Sequence, residues 1–312
     1  MYRNIFIIIL IALCTSSCLD DHDAPDKNLR EILAERTELS IFEAGISRLE
    51  IYENLDAAII TVFAPSDQAF QTYFNQNGYN DINDIPMDTL EGLINYHIIA
   101  GVGRTNDTQS NYYASSNTNS PSNLNVRLLI ENTGNSFVLN NTANSIIEDI
   151  EGINGVIHII DEVLTPPTVR DFLNQNENLT IIRDALESLD ILDSIDNGNI
   201  HTLFTPVDDA FRFYTNERQI GSINDLPDSA FQRLVKSHVL RGNRDLESLL
   251  QEVKVPTIDD STFLNFEEAV VNPGLGSTLF IVINDSSVVR FGNIQATDGI
   301  IHFVTDVIPI RF

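Results

Sequence analysis

Basic side chains are scarce in this sequence. Only 18 Lys and Arg stand against 45 Asp and Glu, a formal net charge of -27. Such a chain repels polyanions, which argues against nucleic acid as a partner and suits a soluble, secreted protein. Cysteine is nearly absent: Cys14 and Cys18 are the only 2. Cleavage ahead of Cys18 would leave one thiol and no intrachain disulfide, so the folded part must stand on its hydrophobic cores. Long apolar runs are missing too. Ile5 through Cys14 is a run of 10 residues, half of the ~20 that a spanning helix needs. The signatures of common catalytic sites are also lacking: there is no His-Glu-x-x-His, no Gly-x-Ser-x-Gly and no phosphate-binding glycine loop. Carboxylates abound, but no spacing singles out an acid and a base. No catalytic residue, cofactor or metal site is therefore assigned, and an enzyme is the class with no motif behind it.

What is present begins with an export pattern. Arg3, the apolar run and then Ser16-Ser17-Cys18 predict a signal peptide over 1–17. Ser16-Ser17-Cys18 resembles a bacterial lipobox, with Thr15 where that motif prefers Leu, and implies lipidation of Cys18. An acidic tether is expected over 18–29, opening Leu19-Asp20-Asp21-His22-Asp23. Acidic residues directly after the cysteine resemble the surface-export signal of some Gram-negative lipoproteins. The expected location is the outer membrane, lipid-anchored and facing the cell exterior, with the lipid as the only membrane contact.

The rest of the chain is a duplication. Thr61-Val62-Phe63-Ala64-Pro65-Ser66-Asp67-Gln68-Ala69-Phe70 recurs as Thr202-Leu203-Phe204-Thr205-Pro206-Val207-Asp208-Asp209-Ala210-Phe211. Asp84-Ile85-Pro86 recurs as Asp225-Leu226-Pro227, and Tyr96-His97 as Ser237-His238. Asn154-Gly155-Val156-Ile157-His158 returns as Asp298-Gly299-Ile300-Ile301-His302. Two domains follow, 30–167 and 168–312. Pro166-Pro167 between them predicts a stiff joint and loosely coupled halves.

Within each copy, Thr61-Val62-Phe63 reads as a short buried strand stopped by Pro65, with Ser66 or Asp67 capping the next helix. Leu90, Leu93, Ile94, His97 and Ile98 form a helical stripe, matched by Phe231, Leu234, Val235, His238 and Val239, with Gly101 and Gly242 as stops. A histidine on an apolar stripe points inward, so His97 and His238 are expected to be buried and hydrogen-bonded. Strands are predicted at Val126–Ile130, Phe137–Leu139, Leu279–Ile283 and Val288–Phe291. Helices first and strands last give an α+β domain. Asp88-Thr89-Leu90 and Asp228-Ser229-Ala230 resemble bacterial O-glycosylation acceptors but read more simply as helix caps. Residues 105–125, in which 14 of 21 are Asn, Ser or Thr, read as a polar loop carrying Tyr112-Tyr113.

The ordered motifs, Thr-Val-Phe-Ala-Pro-x-Asp-x-Ala-Phe, then Tyr96-His97, then Asn-Gly-Val-Ile-His-x-Ile-Asp-x-Val-Leu from Asn154, resemble the fasciclin domain in both halves. The resemblance implies two tandem domains, each a β-sandwich or wedge decorated with helices. It also implies a non-enzymatic adhesion or binding role toward an extracellular protein or polysaccharide. Tyr96, His97 and Asp161 are then the candidate contacts. The second copy departs at Ser237 and at Thr305-Asp306. The alternative is a glycan-binding accessory protein of a nutrient-capture system, stacking sugars on Tyr112, Tyr113, Phe213 or Tyr214.

Overall fold

A computed structural model describes residues 25–271 and 278–308. The signal peptide over 1–17 and Cys18 lie outside the described residues. The first copy runs α1 (Leu29–Glu35), α2 (Ser40–Leu49), α3 (Tyr52–Asp56), β1 (Ile60–Pro65), α4 (Asp67–Asn77), α5 (Met87–Tyr96), β2 (Ile98–Ala100), β3 (Asn111–Ala114), β4 (Arg127–Asn132), β5 (Phe137–Leu139), β6 (Ala143–Gly152) and β7 (Gly155–Ile160). The second runs α6 (Val169–Asn174), α7 (Thr180–Ser188), α8 (Ile191–Asp196), β8 (His201–Pro206), α9 (Asp208–Glu217), α10 (Asp228–Lys236), β9 (Val239–Arg241), α11 (Leu246–Leu249), β10 (Val255–Pro256), β11 (Phe263–Leu264), β12 (Phe266–Val271), β13 (Thr278–Ile283), β14 (Ser287–Gln295) and β15 (Gly299–Val304).

The strand order is β2-β1-β7-β6-β5-β4-β3 in the first copy and β12-β13-β14-β15-β8-β9 in the second. One parallel pair sits at the heart of each, β1 on β7 and β8 on β15. Every residue of these four strands is buried. Burial on both faces is why they read as near-continuous apolar runs rather than alternating ones. Val62, Ala64, Ile157 and Ile159 face a core shared with the helices, around Phe42 and Phe70. Phe63 and Ile160 face a second core with Leu128, Phe137 and Leu139. Register shifts between Ser145 and Ile150 bend β6, so the sheet curls into a wedge around that second core.

The repeated motifs are framework. Gly155 has φ +150°, and a Cβ there would lie 1.9 Å from the Ile60 carbonyl oxygen, so only glycine lets β7 start beside β1. Asn154 Oδ1 accepts the Leu29 N–H at 2.9 Å, and Asp298 Oδ1 accepts that of Val169 at 2.7 Å, tying the first helix of each copy to the last strand. Asp67 does not cap its own helix. Ser66 does that, while Asp67 accepts the Ser40 hydroxyl and the Ile41 N–H. Asp208 holds Thr180 and Ile181 in the same way.

Some sequence expectations shift. Leu29, placed in the tether, is 1% exposed, and the Asn28–Glu31 capping box starts the fold there. α5 ends at Tyr96, and Ile98 opens strand β2; the stripe runs on because both segments are buried. Gly101 and Gly242 therefore follow strands, not helices. Pro86 and Pro227 occupy the cap positions assigned to Asp88 and Asp228. The two carboxylates sit in the first turn, favourable to the helix dipole. The stretch 105–125 is not a plain loop, since it contains β3 paired to β4.

Candidate functional site

Tyr96 and His97 have no exposed surface. The Tyr96 hydroxyl donates to the Arg127 carbonyl at 2.9 Å and accepts from Asn140 Nδ2 at 2.9 Å. His97 Nε2 accepts the Leu164 N–H at 2.9 Å, so Nδ1 carries the proton and donates to the Leu93 carbonyl at 2.8 Å. His238 repeats this with Ile308 and Leu234. His158 and His302 use the opposite tautomer. Their Nδ1 atoms accept the N–H groups of Asp149 and Asn293, and their Nε2 atoms donate to the carbonyls of Gly103 and Arg244. Burial holds His97, His238 and His302 down to about 4. Four neutral imidazoles thus join segments distant in sequence. His97→Ala and His238→Ala should each lower the stability of their own domain by about 1–3 kcal/mol, read as a shift in urea midpoint. An unchanged midpoint would contradict a structural role. In this conformation neither Tyr96 nor His97 offers an atom to a ligand.

Asp161 is exposed, but it accepts the Asn144 N–H at 2.6 Å and Asn144 Nδ2 at 3.0 Å, closing a strand end. Phe213 is 60% exposed on α9, and Tyr214 lies under the Arg218 guanidinium at 3.7 Å. Among the described residues no three His, Cys, Asp or Glu side chains come together as a metal-binding group.

Tyr112 and Tyr113 are separated by the pleat of β3. Tyr113 packs on the second core of its own domain and donates to the Gln109 carbonyl at 2.7 Å. Tyr112 crosses to the other domain. Its ring centroid lies 5.4 Å from Phe172, 6.1 Å from Phe291 and 6.1 Å from Phe303. Burial pushes its hydroxyl pKa well up. Arg127 Nε donates to the Asn293 carbonyl at 3.1 Å, and Asn141 Nδ2 to that of Gln175 at 3.0 Å, across the same junction. Pro167 accepts the Thr297 N–H at 3.0 Å, so the joint itself is pinned to the second copy. The halves are therefore joined through packed aromatic rings, not merely strung on a stiff linker as the sequence suggests.

This junction leaves two clefts, of about 470 and 510 Å³, that share Tyr112, Phe291, Asn176 and Asn178. The first adds Glu131 and Asn141, and the second Arg290 and Thr305. Phe291 stays 44% exposed. An aromatic wall among neutral amides, with two carboxylates (Glu131 and Glu177) and one cation (Arg290), offers apolar faces and hydroxyl-matching donors and acceptors at a domain boundary. Tyr112 was visible from the sequence. Phe291, Asn176 and Asn178 were not, because their proximity depends on how the two copies meet. Phe291 also lies between two register shifts of β14 that no alternation pattern reveals.

A family model described as the Fasciclin domain matches residues 37–166 and 177–310. Human periostin is 26% identical over 80% of this chain and 28% of its own length. A fasciclin-like arabinogalactan protein of Arthroderma benhamiae is 24% identical over 90% of this chain and 66% of its own. The chain thus spans less than two thirds of either relative. A solved fasciclin domain pair from the insect cell adhesion molecule Fasciclin I covers 88% of this chain and 98% of its own, with 19% identity and a TM-score of 0.51.

Proposed function

We propose, because the chain belongs to the fasciclin family, that it is a non-enzymatic binding protein whose extracellular ligand, a protein or a polysaccharide, seats in the groove between its two domains. The groove itself carries this reading: an exposed Phe291 beside Tyr112, ringed by Asn141, Asn176 and Asn178. Neither copy makes it alone. The name of the insect relative, a cell adhesion molecule, agrees with a binding role. The aromatic-and-amide composition favours a polysaccharide, whose C–H faces would lie on Phe291 while hydroxyls meet the amides. The same composition keeps the second reading in play, a glycan-binding accessory protein of surface nutrient capture. A glycan array read beside immobilised extracellular-matrix proteins separates the two ligand classes. Phe291→Ala should abolish the binding found there while lowering the melting temperature by only about 2–4 °C, since the ring is 44% exposed and otherwise packs edge-on against Tyr112 and Phe303. Undiminished affinity of that variant would remove the groove as the site.

We place the protein at the outer membrane, held by a lipid on Cys18 and facing the exterior. The short apolar core ahead of Ser16-Ser17-Cys18 and the acidic tether behind it support this. Cys18→Ala should no longer incorporate radiolabelled fatty acid and should be released from membranes. Label still entering the variant would overturn the assignment.

A further inference from the structure

Residues shared by the two copies build the frame, so a binding function peculiar to one copy must lie where they differ. The clearest difference is a cleft of about 370 Å³ in the second domain, between α7, α9 and the turn at Gly221–Asn224. The registers of the two copies are fixed here. A left-handed residue lies two positions after Arg48 and two after Ser188, Glu50 at φ +56° and Asp190 at φ +55°, just before the next helix of each copy, which pairs Arg48 with Ser188. Phe70 and Phe211 occupy the same place in the repeated motif, which pairs Phe74 with Thr215. Both turns read Ile-Asn-Asp, at Ile82–Asp84 and Ile223–Asp225.

In the first copy this volume is filled from within. The Arg48 guanidinium donates to the carbonyls of Ile82 at 2.7 Å and Ile85 at 2.8 Å. Phe74, 2% exposed, packs beside Phe70 with ring centroids 5.8 Å apart. In the second copy both large side chains are gone. The Ser188 hydroxyl turns back to the Ala185 carbonyl at 2.8 Å, and that of Thr215 to the Arg212 carbonyl at 3.0 Å. Neither reaches the turn. Asp184, where the first copy has Ala44, adds a carboxylate to the lining, one oxygen of which already takes the Arg183 guanidinium at 2.8 Å. The one cation there, Arg212, is paired outward with Asp209 at 2.6 Å.

We propose that this cleft receives an arginine side chain presented by a partner protein. The guanidinium would seat toward the carbonyls of Ile223 and Leu226 as Arg48 does on those of Ile82 and Ile85, and its stem would lie along Phe211 and Ala185. A cationic group is drawn to a chain of net charge -27. Arg48 reaches both carbonyls through one nitrogen, Nη1, and a guanidinium gives up its water more readily than an ammonium does, which favours arginine over lysine at this seat. The site is separate from the interdomain groove and does not rest on it.

The test is an amide NMR titration of the full chain with acetyl-arginine amide, beside the acetyl-lysine and acetyl-citrulline amides. Saturable shifts at Ala185, Ile223 and Asn224 are expected for arginine, with citrulline weaker by about tenfold or more. Ser188→Arg, which refills the cleft from the inside, should abolish them, and Thr215→Phe should do the same if the first variant fails to fold. No saturable shift at those residues, equal binding of citrulline, or shifts that persist in the folded filled variant would overturn the proposal.

Discussion

Between about pH 7 and pH 5 the protein should lose several kcal/mol of stability while its carboxylates remain largely ionised. The cause is the set of buried neutral imidazoles. His97, His238 and His302 are held down to about 4, first by burial, against which the hydrogen bonds to Leu93, Leu234 and Arg244 pull weakly upward. Burial also lowers His158 and His201. In the unfolded chain each ring titrates near its ordinary value of about 6.5. Above that pH neither state is protonated, and the stabilisation is fully present. As pH falls from about 6.5 toward 4, the unfolded chain takes up protons that the folded chain refuses, so stability declines; below about 4 the loss is complete. Each of the three rings can account for about 3 kcal/mol in total and on the order of 2 kcal/mol by pH 5. The second domain holds His238 and His302 and should therefore contribute the larger share of the loss. Urea midpoints read across this range test the expectation, and His238→Gln should flatten the slope by about one proton's worth, 1.4 kcal/mol per pH unit at most. Midpoints that stay constant from about pH 7 to 5 would mean that the rings titrate alike in both states.

The fold was legible because its determinants are local or repeated. Strands β1 and β7 announce themselves through Thr61-Val62-Phe63 and Val156-Ile157, β-branched and largely apolar, and the second copy says the same again, whereas their parallel pairing is visible only in the structure. The buried histidines were legible from the stripe that carries them, and their partners at Leu164 and Ile308 complete the reason. Tyr96 and Asp161 show what a motif conceals. One is consumed in bonds to Arg127 and Asn140, and the other, though exposed, also closes a strand end on Asn144. Repetition marks what the frame needs, and a ligand need not touch the frame. The groove escaped the sequence for a geometric reason. Tyr112 and Phe291 are 179 residues apart in the sequence, and only the packing of one copy on the other brings their rings to 6.1 Å. β3 was hidden by composition, since Asn and Ser flank Tyr112-Tyr113 on both sides while the strand borrows its order from β4.

Removing that ring should uncouple the domains. Tyr112 belongs to the first copy yet packs against the core of the second, among Phe172 at 8% exposure, Phe303 at 7% and the more open Phe291. Phe172 starts the helical half of the second domain and Phe303 sits in its central strand, so the contact reaches into that domain's core rather than its rim. Truncating a large aromatic among three others removes buried area and edge and face contacts together, and Tyr112→Ala should cost about 3 kcal/mol. That energy belongs to the coupling between the domains. The intact chain should melt as one cooperative unit, and the variant should show two separated transitions in calorimetry. Tyr113→Ala provides the control from the neighbouring position. It strips contacts from the second core of the first domain, so it should lower that domain's stability while leaving the melting of the two halves linked. Two transitions already present in the intact chain, at the temperatures seen in Tyr112→Ala, would show that the ring carries no coupling. The groove would then lack the fixed wall on which ligand binding between the domains depends.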